Sequence, residues 1–129
     1  MQELKLYKCE KCGKIIAMLP GACACPTMCC GEPMKELVAN TTEAAFEKHI
    51  PAVEINGNKV HVQVGSILHP MLEAHHISFV ILVTDKEIRR HDFEFTDVPE
   101  HTFALDDGEK PIAVYEYCNL HGLWVNKLD

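Results

Sequence analysis

Val53-Glu54-Ile55-Asn56-Gly57-Asn58-Lys59-Val60-His61-Val62-Gln63-Val64 is the stretch that decides the fold. Its centre, Asn56-Gly57-Asn58, favours positive φ and a tight reversal, which predicts a hairpin. Val60, Val62 and Val64 fall on one face, His61 and Gln63 on the other, so one side is dry and one wet. Working outward, Ile77 to Val83 is an apolar run of strand length and is predicted to be a central strand. Ile88 to Phe95 alternates less cleanly. Thr102-Phe103-Ala104-Leu105, the turn Asp106-Asp107-Gly108 and Ile112 to Tyr117 read as a second hairpin, and Gly122 to Lys127 closes the chain. A single helical turn is expected over Thr42 to Phe46. About seven short strands separated by turn signals predict an antiparallel β-sandwich of immunoglobulin-like type.

Ahead of the sandwich the sequence changes character. Leu6-Tyr7-Lys8-Cys9-Glu10-Lys11-Cys12-Gly13-Lys14 leads into a short apolar strand, Ile15 to Leu19; Pro20-Gly21 breaks it and Cys29-Cys30-Gly31 follows. Each Cys cluster ends in Gly, which lets the chain fold back so that backbone N–H groups point at sulfur. A segment of fewer than about 40 residues buries too little apolar surface to fold alone, so a metal has to fasten it. The boundary is expected near Val38-Ala39-Asn40-Thr41, with domains at 1–38 and 39–129.

Whole-chain properties narrow the function. No apolar run approaches the ~20 residues needed to cross a bilayer, and Met1-Gln2-Glu3-Leu4-Lys5 lacks the apolar stretch of a signal peptide. A cytoplasmic protein with no membrane partner is expected. Net charge is −7, unevenly spread: residues 1–38 carry five Lys against four Glu, residues 39–129 seven Lys and Arg against fifteen Asp and Glu. No basic stripe is present for nucleic acid, and chemistry on an anion must rely on a local positive field. Six of the seven cysteines lie within residues 9–30. In a reducing compartment such a cluster reads as metal ligands before disulfides.

Two constellations carry chemistry. Cys9-x-x-Cys12 with adjacent Cys29-Cys30 supplies four sulfurs, a tetrahedral set for iron or zinc. A structural zinc ribbon is the plainer alternative. Cys23 and Cys25, in Ala22-Cys23-Ala24-Cys25-Pro26, read as spare thiols, with alternative ligands or a redox pair as other readings. The second set is His49, His69, His75, Cys118 and His121, from Glu47-Lys48-His49-Ile50-Pro51, His69-Pro70-Met71-Leu72-Glu73-Ala74-His75 and Tyr117-Cys118-Asn119-Leu120-His121-Gly122. Four imidazoles and a thiolate suit a redox metal better than a closed structural zinc, and they leave one position free for a small ligand. A thiolate opposite that position donates electron density and favours activation of oxygen species. His75 and His76 cannot both face the metal if they sit on a strand. His61, His76, His91 and His101 read as ordinary residues.

Taken together, these motifs closely resemble the desulfoferrodoxins, two-iron superoxide reductases, over nearly the whole length. Tyr7 to Gly13 and Cys29-Cys30-Gly31-Glu32-Pro33-Met34 are similar to the small desulforedoxin domain. Glu47 to Pro51, His69-Pro70-Met71 with His75, and Cys118-Asn119-Leu120-His121-Gly122-Leu123-Trp124 are similar to the superoxide reductase domain. The resemblance implies a rubredoxin-like FeS4 centre on Cys9, Cys12, Cys29 and Cys30. It also implies a mononuclear iron with His49, His69, His75 and His121 in the plane and Cys118 axial. Glu47 matches the family glutamate that occupies the sixth position on ferric iron, and Lys48 the family lysine beside the open site. The implied reaction is one-electron reduction of superoxide to hydrogen peroxide without oxygen release, fed by rubredoxin or a similar small carrier, in a homodimer. A non-catalytic iron electron-transfer protein, a zinc-stabilised binding module and a dismutase are the competing readings. The segment before Cys29 departs from the family's Gly-rich pattern, and its extra thiols give the first site a route to zinc, ligand exchange or oxidation.

Overall fold

The computed structural model describes residues 4–21 and 25–128, and the chain divides into two compact units, Met1–Val38 and Ala39–Asp129. In the first, β1 (Leu6–Lys8) lies between β2 (Ile15–Ala17) and β5 (Lys35–Glu36), while β3 (Met28–Cys29) and β4 (Glu32–Pro33) form a separate two-stranded ribbon. Its apolar interior is little more than Leu6, Cys9 and Met34. An interior that small cannot offset the entropy of ordering the segment, which is why sulfur ligation matters there.

The second unit is a sandwich of two antiparallel sheets. One has the order β10 (Glu100–Ala104), β7 (Lys59–Val64), β6 (Pro51–Asn56). The other has the order β12 (Gly122–Lys127), β11 (Pro111–Cys118), β8 (Ile77–Thr84), β9 (Ile88–Asp92). The seven predicted strands are all present, and β8 is central as expected. Asn56 pairs with Lys59 across the β6–β7 hairpin, with Gly57 at φ 61°. Val60, Val62 and Val64 are fully buried and meet Ile77, Val80, Leu82, Val114 and Cys118 of the facing sheet. Burying each such valine contributes roughly 1.5–3 kcal/mol. A one-residue slip would turn all three outward, so the register is strongly specified. Cys118 is therefore a core residue at the end of β11, and the candidate metal site opens from one end of this core.

Two expectations are corrected. Residues 102–105 and 112–117 do not form a hairpin: β10 pairs with β7, and β11 pairs with β8 and β12. The connection between them crosses from one sheet to the other. It is held by the buried Glu109 carboxylate, which accepts from the Thr84 hydroxyl, from Arg89 at 2.8 Å and from the Asp106 N–H at 2.9 Å. These donors, Thr84 foremost, hold the Glu109 carboxyl down at about 2. An Asp-Asp-Gly turn starts a hairpin or an inter-sheet arch equally well, so local sequence does not separate the two. The helical turn is α1 (Phe46–His49) rather than residues 42–46. The His49 ring bonds back to Ala45 O and Ile50 N–H donates to Phe46 O, which winds the turn around the metal-site motif instead of ahead of it. Among the described residues, no helix is long and apolar enough to cross a membrane.

Candidate metal centres

Adjacent side chains on a strand point to opposite faces, so Cys29 and Cys30 converge only if the chain turns between them. It does. Cys30 and Gly31 form the two-residue tip of the β3–β4 ribbon with φ of 52° and 76°, and this leaves the two Sγ atoms 3.9 Å apart. On the other side Gly13, at φ 81°, donates to Cys9 O at 2.9 Å and closes the Cys9–Cys12 turn, whose Cys12 N–H reaches Cys9 Sγ at 3.5 Å. Cys12 and Cys29 Sγ lie 3.7 Å apart. A tetrahedron with metal–sulfur bonds of about 2.3 Å has edges of about 3.8 Å, so the four cysteines fit one ion. The Cys12 N–H pulls the Cys9 thiol down to about 6, while the sulfurs of Cys12, Cys9 and Cys29 push Cys30 up to about 12. Sulfur neighbours raise Cys29 as well, so these thiols hold their protons until a metal displaces them.

The second group is His49, His69, His75, Cys118 and His121, whose ligand atoms all lie within 4.8 Å of one another. The imidazoles form a closed ring. Successive centroids, His49–His69, His69–His75, His75–His121 and His121–His49, are 4.7, 4.6, 5.1 and 4.9 Å apart, each pair nearly perpendicular. Cys118 Sγ approaches His69 Nε2 at 3.5 Å and His121 Nδ1 at 3.8 Å. His49 Nδ1 donates to Ala45 O at 2.8 Å and His69 Nδ1 to Pro70 O at 2.7 Å. A carbonyl only accepts, so both Nδ1 atoms carry the proton and both Nε2 atoms are bare lone pairs. Those lone pairs face each other at 3.2 Å. Such a contact is repulsive unless a cation relieves it. His49 Nε2 to His121 Nδ1 is 3.0 Å. Metal–nitrogen bonds of about 2.0–2.1 Å meeting at a right angle span about 2.9 Å, so the ring has the dimensions of a plane of four ligands. His75 Nε2 is buried with no hydrogen-bond partner among the described residues.

Burial lowers the pKa of His49, His69 and His75, that of His69 to about 4, so all three are neutral and ready to bind metal. Burial pushes the Cys118 thiol up, and the backbone N–H groups of Leu120 and His121 pull it back. The three-residue loop Asn119-Leu120-His121 links β11 to β12. Gly122, at φ 81°, lets it close so that His121 returns alongside Cys118.

Glu47 and Lys48 are exposed on α1. Burial is the main cause that lowers His49 and His75, and the charge of Lys48, next to His49 on the turn, adds to it. The charges acting on His49, His69 and His75 are Lys48 and neighbouring imidazoles, with no carboxylate among them. The Glu47 carbonyl accepts from Ile67 N–H at 2.9 Å and from the Ser66 hydroxyl at 3.2 Å. A Cβ on Gly65 would sit 2.6 Å from that carbonyl, so only glycine lets this segment press against the Lys48 turn.

Two supporting residues were not read from the sequence. Trp124, fully buried, packs its ring 4.9 Å from His49 and donates its Nε1–H to His121 O at 3.1 Å. Being the sole tryptophan, directly after a ligand motif, was the available signal. Glu116 is fully buried in β11 with both carboxylate oxygens unpartnered among the described residues, and burial drives its pKa well up. A lone acid inside an apolar strand was its signal.

The remaining histidines lie outside the ring. His61 bonds Thr102 Oγ1 at 2.8 Å, His91 stacks on His101 at 3.7 Å, and His76 bonds the carbonyls of Leu72 and Glu73 at 3.0 Å. His75 and His76 precede β8 rather than lying in it, so the turn, not the pleat, separates their directions. Cys25 is an exposed free thiol; Cys23 lies outside the described residues.

The desulfoferrodoxin family model matches residues 41–127. The desulfoferrodoxin of Syntrophotalea carbinolica is 45% identical over 123 residues, 95% of each chain. The crystal structure of the superoxide reductase from Treponema pallidum superposes with a TM-score of 0.82 at 36% identity, covering 98% of this chain and all of that one. The superoxide reductase from Giardia intestinalis, 30% identical, covers 64% of this chain and 98% of its own length with a TM-score of 0.56. The chain belongs to the desulfoferrodoxin family, and it is an iron-binding oxidoreductase whose four-cysteine group and four-histidine, one-cysteine group can each hold the metal.

Proposed function

We propose that this protein is a superoxide reductase: superoxide, one electron and two protons give hydrogen peroxide, and no oxygen is released. The observation that carries the reading is the closed imidazole ring that gathers the buried Cys118 with His49, whose chain neighbour Lys48 is exposed. His49, His69, His75, His121 and Cys118 would hold iron. Iron held there supplies the electron. Cys118 would give that iron an electron-rich sulfur, which favours giving an electron to the substrate over taking one from it. Lys48 draws the anion in and orients a water for protonation. Glu47, on the same turn, would supply a further carboxylate ligand to the oxidised metal. Cys9, Cys12, Cys29 and Cys30 hold the FeS4 centre of the domain at 1–38, accessory to the reductase domain at 39–129. On the family resemblance, the electrons come from rubredoxin or a similar small carrier, and the assembly is a homodimer.

The test is stoichiometric. A known dose of superoxide is added anaerobically to reduced protein, and peroxide and oxygen are measured. Equimolar peroxide without oxygen is expected. Oxygen alongside the peroxide would mean dismutation, and no reaction above background would leave an electron carrier. Lys48→Ala should slow the reaction roughly 10-fold or more and flatten its salt dependence, because a local charge acts on the encounter rate. Its iron content should stay at the wild-type level, and an unaltered rate would make Lys48 a plain surface lysine.

A further inference from the structure

His49 and His69 are aimed by their own rings, each donating to a carbonyl. His75 is held differently. It closes a short turn with Leu72, whose N–H donates to His75 O at 2.9 Å while His75 N–H donates to Leu72 O at 3.2 Å. The segment has neither strand nor helix to support it. What grips it from outside is Asn119. The Asn119 Oδ1 accepts from His76 N–H at 2.8 Å, its Nδ2 donates to Ala74 O at 3.0 Å, and its own N–H donates to His76 O at 3.1 Å. Asn119 thus bonds the residue before His75 and the residue after it, while Cys118 next to it and His121 two residues on belong to the same candidate centre.

We infer that Asn119 is the positioning residue for His75, clamping the 74–76 backbone to the Cys118–His121 loop so that the fourth imidazole closes the ring. The chemistry of the side chain is particular to this task. Only a primary amide offers an acceptor and a donor side by side, and the two bonds need both. Aspartate keeps the acceptor for His76 N–H but sets an oxygen against the Ala74 carbonyl. Glutamine is a methylene too long for the same pair of backbone atoms. The inference rests on His75 being a ligand of the proposed iron, and it assigns Asn119 no contact with substrate.

The experiment measures release of ferrous iron from the loaded protein to an excess of chelator, for wild type, His75→Ala, Asn119→Ala, Asn119→Asp and the double variant His75→Ala/Asn119→Ala. Asn119→Ala should speed release about 10- to 100-fold, the usual effect of removing a group that orients a ligand. Asn119→Asp, which preserves size and one bond, should fall between it and wild type, and it carries the test if the alanine variant does not fold. The decisive readout is coupling: with His75 absent, removing Asn119 should add nothing. Hydrogen exchange at the His76 amide should also quicken in the metal-free Asn119→Ala protein. Independent, multiplying effects of the two substitutions, or wild-type release from Asn119→Ala, would overturn the inference alone. Wild-type release from His75→Ala would overturn the ligand reading, and the inference with it.

Discussion

Cys118→Ser is expected to abolish the sulfur-to-iron absorption of the oxidised second centre. It should also lower the rate with superoxide on the order of 100-fold, about 2.7 kcal/mol of barrier. Serine nearly matches cysteine in volume, and Cys118 sits fully buried at the end of β11, so the fold should persist while the donor atom changes. A hydroxyl loses its proton far less readily than a thiol and gives the metal less electron density. Burial already raises the Cys118 pKa, and the buried Glu116 two residues away offers no compensating positive charge. Because the four-cysteine centre absorbs as well, the comparison belongs in a Cys9→Ser background, where the first centre is impaired. An unchanged spectrum there would remove Cys118 from the ligand set.

Trp124→Ala should produce the largest loss of stability, about 3–5 kcal/mol for truncating a fully buried aromatic. Trp124 touches the centre in two ways. Its ring lies against His49 and meets the Phe46 edge at 5.4 Å, and its Nε1–H holds the carbonyl of His121. Removing it leaves a void beside the His49 imidazole and frees the His121 carbonyl, so iron release should quicken alongside the drop in stability. Trp124→Phe keeps most of the ring contact and gives up the hydrogen bond, a net cost of about 1 kcal/mol from that bond. The measurement is urea denaturation of the metal-free protein followed by far-ultraviolet circular dichroism, since the substitution removes the only tryptophan fluorophore. A change of under about 1 kcal/mol for Trp124→Ala would contradict the packing described here.

Period-two alternation around Asn56-Gly57-Asn58 was enough to predict β6, β7 and the face they bury, because strand geometry converts spacing directly into facing. The Cys118–His121 loop is local in the same sense, since Gly122 at φ 81° lets the chain return within three residues. Candidate ligands were legible by residue type: His and Cys name themselves. Their arrangement was not. That His49 follows His69 around the ring, and that both offer Nε2, depends on the carbonyls of Ala45 and Pro70, which only the folded backbone brings within reach.

Tertiary structure also decided what local sequence left degenerate. Asp106-Asp107-Gly108 begins a turn whether the next strand joins the same sheet or the opposite one. The choice was made by buried Glu109 meeting Thr84 and Arg89, on strands 25 and 20 residues away in sequence. Asn119, Trp124 and Gly65 act through partners scattered across the chain: Ala74 and His76, His49 and His121, the Glu47 carbonyl. Sequence by itself determined the strands, the turns and the ligand types, since these follow from each residue's own stereochemistry and its near neighbours. Only the tertiary structure decided the sheet partners, the ring order and the supports that aim each ligand, since these depend on atoms that no local interaction brings together.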